Sequence, residues 1–316
     1  MHTVVFLDAA SMGDADLAQL SSAAHQLVCF EHTAAEQVVP RLRQASIAIV
    51  NKVVLSAAIL KQLPELKLIC IAATGVNNVD LAQAAKQGIV VCNVRNYANT
   101  AVPQHVMALL LQLTNQVARY HQAVSAGRWS QSRHFCLLDY PLTELAGKTL
   151  VVVGYGALGQ ATAQLAKAFG MRVIVAEHPD ATQCRDGRLA FLPALAQADV
   201  LSLHCPLTPQ TERLFNARVL AAIKPGALLI NTARGGLIDE PALLAALQSG
   251  QLGGAALDVL TDEPPPADNI LLNAALPNLI ITPHVAWASA EARQRMLLQL
   301  KTILADFDSG KAPNQL

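Results

Sequence analysis

The chain has 316 residues, enough for two domains with their own cores, and 53% of them are apolar against only 15% charged. Its 23 basic residues balance 23 acidic ones, so no net field draws it to nucleic acid or to an anionic membrane. The six cysteines, at 29, 70, 92, 136, 184 and 205, form no CxxC pair, which points away from a metal or disulfide framework and towards reduced thiols in a cytoplasmic protein. Residues Met1–Asp8 lack the basic stretch and long apolar run of a signal peptide, and no apolar run approaches the roughly 20 residues that span a bilayer.

Five apolar runs, Val4–Leu7, Leu27–Phe30, Ile47–Val50, Leu68–Ile71 and Val90–Cys92, alternate with helix-like segments over the first third of the chain. They are rich in β-branched residues and continuous, the pattern of strands covered on both faces, and so predict a small doubly wound α/β unit. One long helix is predicted over Thr100–Ser125, where Val102, Val106, Leu109, Leu110, Leu113 and Val117 recur at helical spacing. Pro103 falls in its first turn and Gly127 marks its end. The next segment, Arg128–Glu144, has no clear period but carries Trp129, Phe135 and Tyr140, and is expected to pack on a partner subunit.

A second α/β series starts at Lys148, with strands expected at Leu150–Val153, Arg172–Val175, Val200–Leu203, Ala227–Ile230, Ala255–Leu257 and Leu279–Ile281. Ser289–Asp308 reads as an amphipathic helix with Met296, Leu300, Ile303 and Phe307 on one stripe, stopped by Gly310. Pro264–Pro266 is a short stiff loop.

The strand Leu150–Val153 runs directly into Gly154-x-Gly156-x-x-Gly159, spanning Ala157 and Leu158, with a helical stretch behind it. The first glycine of such a motif permits the tight turn, the second lets a pyrophosphate approach the backbone, and the third lets helix pack on strand. The following strand ends at Glu177, where an acidic side chain accepts hydrogen bonds from the adenosine ribose. That acid favours NAD, because a carboxylate repels a 2′-phosphate; His178, Arg185 and Arg188 pull the other way, and NADP is the less favoured cofactor.

Two residues follow strands near the end of this series. Arg234, in Asn231-Thr232-Ala233-Arg234-Gly235-Gly236, would project beyond a carboxyl strand end, where ligands of open α/β sheets sit. A guanidinium there can grip a carboxylate in bidentate fashion. His284, after Ile281-Thr282-Pro283, can take and give a proton near neutrality. Glu263 precedes a proline, and a carboxylate accepting from an imidazole orients it and favours its charged form.

Gly154–Gly159, Asn231–Gly236, Asp258–Pro264 and Pro283-His284, in that order and spacing, resemble the D-isomer-specific 2-hydroxyacid dehydrogenase family across essentially the whole chain. The resemblance implies two doubly wound parallel-sheet domains: a Rossmann NAD-binding domain over 99–286, and a smaller flavodoxin-like substrate domain over 1–98 plus 287–316. It implies that Arg234 binds substrate, that His284 is the general acid/base with Glu263 as its partner, and that Asp258 lies near the nicotinamide. The loop His204-Cys205-Pro206, with Thr211, and the Thr232-Ala233 turn would line the cofactor. A homodimer joined through residues 100–146 is implied as well.

For the substrate, Ala73-Thr74-Gly75-Val76 follows a predicted strand and would offer successive backbone N–H groups to a carboxylate. Asn51 and Lys52 would add polar contacts, and Trp287 would narrow the aperture. These segments are most similar to the glycerate dehydrogenase (hydroxypyruvate reductase) branch, which implies reduction of hydroxypyruvate to D-glycerate, with glyoxylate as a secondary substrate. A phosphoglycerate dehydrogenase would want basic residues around the Thr74 loop, and no such cluster is present. A formate dehydrogenase needs no proton shuttle to oxygen. A nucleotide-sensing corepressor on the same architecture is the alternative that is not an enzyme.

Overall fold

The computed structural model describes residues 2–316, and the chain divides into two compact units, Met1–Ala98 with Ala288–Leu316, and Asn99–Trp287. The first unit is built on β1 (His2–Phe6), β2 (His25–Cys29), β3 (Ile47–Val50), β4 (Leu68–Ile71) and β5 (Val90–Asn93). They form one sheet in the order β2-β1-β3-β4-β5, with every pairing parallel. This is the flavodoxin-like order, with its reversal beside β1 and β3. Every residue of β3 and β4 is buried, which accounts for their unbroken apolar runs. Short helices α1 (Val38–Leu42), α2 (Ala57–Leu60) and α3 (Leu81–Lys86) connect the strands. Ser56 caps α2 and Asp80 caps α3, each side chain accepting a first-turn amide.

The stretch expected as one helix is two, α4 (Ala101–Asn115) and α5 (Val117–Ser125), separated by Gln116 at a left-handed φ of 53°. In an unbroken helix the Thr114 carbonyl would accept from Ala118. It accepts instead from the amide of Thr143 at 3.0 Å, and the Ala118 amide turns to the Gln112 side chain at 3.3 Å. A long-range bond from the returning arm has displaced a local one.

The second sheet comprises β6 (Thr149–Val153), β7 (Arg172–Ala176), β8 (Arg188–Leu189), β9 (Val200–Leu203), β10 (Ala227–Asn231), β11 (Leu252–Leu257) and β12 (Leu279–Ile281), linked in part by α6 (Ala157–Ala168), α7 (Phe191–Leu195), α8 (Ala217–Ala221) and α9 (Glu240–Gln248). The order is β12-β11-β10-β9-β6-β7-β8, all parallel. It is the doubly wound dinucleotide-binding order extended by one strand, reversing between β6 and β9. The two-residue edge strand β8 is too short to carry a sequence pattern, and was not expected. The chain then returns to the first unit as α10 (Ala290–Asp308), which buries Met296, Leu300 and Ile303 and is capped by Ser289. Within that unit Arg295 Nε donates to the Tyr97 carbonyl at 2.8 Å, and Gln299 exchanges bonds with the Arg95 backbone.

All six cysteines are free. Among the described residues no helix is long and apolar enough to cross a membrane.

The core of the second unit gathers Val151, Leu201, Phe215, Leu229, Leu243 and Ala255. Phe215 is fully buried, its ring 6.0 Å from that of Phe191. Truncation there removes the ring and leaves a cavity that a close-packed sheet cannot fully refill. Phe215→Ala is therefore expected to cost roughly 3–5 kcal/mol in denaturant unfolding; a loss below about 1 kcal/mol would show that the neighbours collapse into the space.

Candidate active site

β6 delivers the chain to Gly154 at a φ of +92°, and a Cβ there would stand 2.5 Å from the Cys205 amide nitrogen. A Cβ on Gly159 would stand 2.2 Å from the Gly154 carbonyl oxygen, so the turn and the first turn of α6 meet backbone to backbone. Gly156, by contrast, has nothing within 4 Å of its Cβ position. Ala157, the first helical residue, is exposed, and Leu158 is half-buried. That open ground before a helix N-terminus is where a pyrophosphate needs room and N–H donors.

Glu177 follows β7 with a side chain that is only 2% exposed. Its carboxylate is held well below the usual carboxylate range by Arg185, whose side chain and amide both donate to it, and by the His178 amide. Arg188 stands 3.5 Å away. Both oxygens are thus already engaged, and a ribose diol must share them with Arg185 or displace it.

Beyond β9, the His204 amide donates to the Val153 carbonyl at 2.7 Å, and its Nε2 lies 2.9 Å from Ser202 Oγ. Burial holds His204 down at about 4 and the Cys205 thiol up at about 11, so both are neutral near pH 7. Pro206 is exposed. Thr211 is buried, and its hydroxyl is spent inside the loop on the Pro206 carbonyl at 2.8 Å and the Thr208 amide at 2.8 Å. Its hydroxyl shapes the loop.

After β10, buried Asn231 holds the Arg234 turn together, donating to the Arg234 carbonyl at 2.8 Å and accepting from the Ala233 amide at 3.0 Å. Thr232 Oγ1 is a buried hydroxyl with no hydrogen-bond partner among the described residues. Such an orphan is costly unless a ligand meets it. Arg234 is half-buried, with Nη1 on the Ala233 carbonyl at 2.6 Å. A Cβ on Gly235 would stand 1.9 Å from the Leu260 carbonyl carbon, so this turn lies directly against the one that carries Glu263.

The structure brings Glu263 and His284 together: Glu263 Oε2 lies 2.6 Å from His284 Nδ1. Glu263 Oε1 also accepts the Leu260 amide at 3.1 Å, which fixes the carboxylate. A carboxylate can only accept, so Nδ1 carries the proton and Nε2 is left to face a ligand. His284 has a φ of +53°, an uncommon conformation for a residue other than glycine. Its amide donates to the Asp258 carbonyl at 2.8 Å. Asp258 is 1% exposed. Burial opposes its charge, but hydrogen bonds involving His105, Thr282 and the Ala286 and Val285 amides outweigh this and hold the carboxyl below its ordinary value. Trp287 is half-buried at the end of this segment.

In the first unit the substrate candidates separate. Thr74 is exposed, its hydroxyl on the Val94 carbonyl at 3.0 Å and its carbonyl on Asn93 Nδ2 at 2.8 Å. The amides of Thr74, Gly75 and Val76 donate to no acceptor among the described residues. Ala73 is half-buried, and its carbonyl accepts the Val94 amide. Lys52 is exposed. Asn51 is buried, with its side-chain amide donating to Ser11 at 3.1 Å. Asp8, unmarked in the sequence, organises that loop by accepting the amides of Asn51, Lys52 and Val53. Glu240 likewise accepts the Thr261 amide and the Asn269 side-chain Nδ2. The Asp8, Glu240 and His105 supports were missed because their partners are distant in sequence.

The glycine cradle, the acid beyond the next strand, the strand-end arginine and the carboxylate-held imidazole all stand in the second unit. Comparison with known proteins gives the class. Residues 107–286 match the model of the D-isomer specific 2-hydroxyacid dehydrogenase family, NAD binding domain. A glycerate dehydrogenase of Methylorubrum extorquens is 47% identical over 312 residues, covering 98% of each chain. A hydroxypyruvate reductase of Blautia hydrogenotrophica is 39% identical over 284 residues, 88% of this chain and 87% of that one. A D-lactate dehydrogenase from Aquifex aeolicus, solved with NAD and lactic acid, superposes with a TM-score of 0.83 at 29% identity, covering 97% and 96% of the two chains. The chain belongs to the D-isomer specific 2-hydroxyacid dehydrogenase family. It is an oxidoreductase acting on a CH–OH group, its cofactor is NAD, and its substrate is a small hydroxy or keto acid.

The glycine geometry yields a test. Gly159→Ala must push β6 and α6 apart or abandon the turn, and is expected to weaken NADH binding at least about tenfold, roughly 1.4 kcal/mol, in a fluorescence titration. Unchanged affinity would mean that the turn tolerates displacement.

Proposed function

We propose that this protein reduces hydroxypyruvate to D-glycerate with NADH, and accepts glyoxylate as a second substrate. The observation that carries the reaction type is the 2.6 Å contact between Glu263 and His284, which leaves one imidazole nitrogen for a substrate oxygen. The choice of acid is supported by the relatives named for glycerate and hydroxypyruvate.

When bound, NAD supplies and accepts the hydride. The residues of the chain do the rest. Arg234 holds the substrate carboxylate and polarises the adjacent carbonyl. In the first unit, the Thr74–Val76 amides, unspent on protein acceptors, are assigned to a carboxylate. His284 gives its Nε2 proton to the carbonyl oxygen in reduction and takes it back in oxidation, while Glu263 keeps Nδ1 protonated and steadies the imidazolium. Gly154, Gly156, Ala157, Leu158 and Gly159 hold the pyrophosphate, Glu177 the ribose, and Thr232, Ala233, His204, Cys205 and Pro206 line the cofactor. NAD ranks ahead of NADP because Glu177 remains a buried carboxylate at the ribose position. Trp287 and Lys52 bound the choice of substrate.

The test is NADH oxidation with a panel of 2-keto acids, repeated with NADPH and with His284→Ala. Hydroxypyruvate is expected to be the best substrate, and the substitution to lower turnover by roughly 10² or more. Full turnover by the variant removes His284 from its role; NADH binding without activity on any acid favours the corepressor-like reading.

We also assign residues 100–146 to a homodimer of a cytoplasmic protein. Trp129 (51% exposed), Phe135 (92%), Leu138 (75%) and Leu142 (54%) leave an apolar arm uncovered in the single chain. Sedimentation is expected to give the dimer mass; a monomer at every concentration would overturn the assignment.

A further inference from the structure

Asp258 poses a problem that the reaction alone does not solve. Its carboxylate is 1% exposed. A buried charge is tolerated only when surrounded by donors. Three are plain: Thr282 Oγ1 donates to Oδ1 at 2.5 Å, the Val285 amide to Oδ1 at 2.9 Å and the Ala286 amide to Oδ2 at 2.8 Å. These bonds pull together residues on both sides of His284, whose own amide is held by the Asp258 carbonyl at 2.8 Å. The positive-φ turn at His284 is thus wrapped around one carboxylate.

The fourth neighbour is His105, on α4. Its Nε2 lies 3.1 Å from Thr282 Oγ1 and 3.5 Å from Asp258 Oδ1. A threonine hydroxyl has one hydrogen. At 2.5 Å from a buried carboxylate, that hydrogen is committed to Asp258. The Thr282 oxygen must then accept from His105, so Nε2 carries a proton. If Nε2 were bare it would compete for the Thr282 hydrogen, and Asp258 would lose a donor. His105 is also the one ionisable side chain paired with the Asp258 carboxylate among the described residues, while Glu263 and His284 pair with each other.

We propose that His105 is a positioning residue of the acid–base centre: its Nε2–H directs the Thr282 hydroxyl onto Asp258, and the ionised carboxylate so secured holds the 282–286 turn that aims His284. The proposal rests on the role assigned to His284 above. It places a residue of α4, remote in sequence from the reacting groups, in control of their geometry, and it requires a hydrogen-bond donor at that point rather than an imidazole as such. Loss of the donor disfavours the charged form of Asp258 and raises its pKa in the folded state. The contribution of Asp258, present above the ordinary carboxylate value and lost as pH falls through its folded value, is then lost at a higher pH.

His105→Leu removes the donor at similar bulk, and His105→Gln places an amide N–H near the position of Nε2. The carboxyl carbon of Asp258 is followed by NMR against pH in carbon-13 aspartate-labelled protein, with Asp258→Asn to assign the resonance. Steady-state kinetics with hydroxypyruvate run beside it, and thermal melts establish that each variant is folded. His105→Leu is expected to raise the Asp258 titration by about one pH unit or more. It should lower kcat at least about tenfold while changing KM by less than about threefold. His105→Gln should restore both. The proposal is overturned if His105→Leu leaves the titration and kcat at wild-type values, or if His105→Gln is as impaired as His105→Leu, which would leave only the packing of the ring. Failure of the catalytic reading shows separately: His284→Ala would then keep its turnover, while the carboxyl titration still decides the role of His105.

Discussion

All seven strands of the second sheet run in one direction, so their carboxyl ends open on a single edge. Chain leaving a strand there loses the ladder that satisfied its amides and carbonyls, and each group must find a new partner. In this protein the new partners are short polar side chains. Asn231 bonds both sides of the Arg234 turn, Glu263 takes the Leu260 amide, Glu240 the Thr261 amide, and Asp258 the amides of Val285 and Ala286. In the first sheet, Asp8 takes three amides after β3. Turns fixed in this way hold their side chains in set directions, and Arg234, Glu263 and His284 stand on such turns.

The same economy divides the polar residues of these loops into two kinds. Asp8, Asn231, Asp258 and Thr211 are buried or turned inward and spend their atoms on backbone. Arg234 and His284 keep a donor or acceptor that backbone does not consume. Glu263 belongs to both kinds, with one oxygen on the Leu260 amide and the other on the imidazole. A carboxylate anchored by its own loop cannot swing away from the histidine, which is the condition for steady orientation.

Inner strands such as β3, β4 and β6 were legible in the sequence because every residue of each is buried, which writes their apolar runs without interruption. The glycine turn was legible because a backbone approach of 2.2 Å at Gly159 admits no other residue. What stayed illegible depends on distant partners. Nothing near Gln116 announces that Thr143 will claim the Thr114 carbonyl and split a helix in two. Asn51 and Thr211 have suitable chemistry for ligand contact, but only the fold shows that the Asn51 amide also meets Ser11 and the Thr211 hydroxyl the Pro206 carbonyl. Glu177 was placed correctly beyond its strand, whereas its engagement by Arg185 depends on how an irregular loop folds back. Arg234, Glu263 and His284 were recognisable by type and order; the short distance between the last two is a property of space, which sequence order does not contain.

The close approach at Gly235 has a mechanical consequence. With 1.9 Å between a would-be Cβ and the Leu260 carbonyl carbon, the loops after β10 and β11 touch through bare backbone, with no side chain between them to act as a cushion. Two surfaces in such contact are geared: any displacement of the arginine loop is passed at once to the loop that bears the glutamate. Arg234 and Glu263 therefore form one rigid cassette. Transplanting either loop alone from a relative would mesh mismatched teeth, and a redesign of the arginine loop must carry the glutamate loop with it.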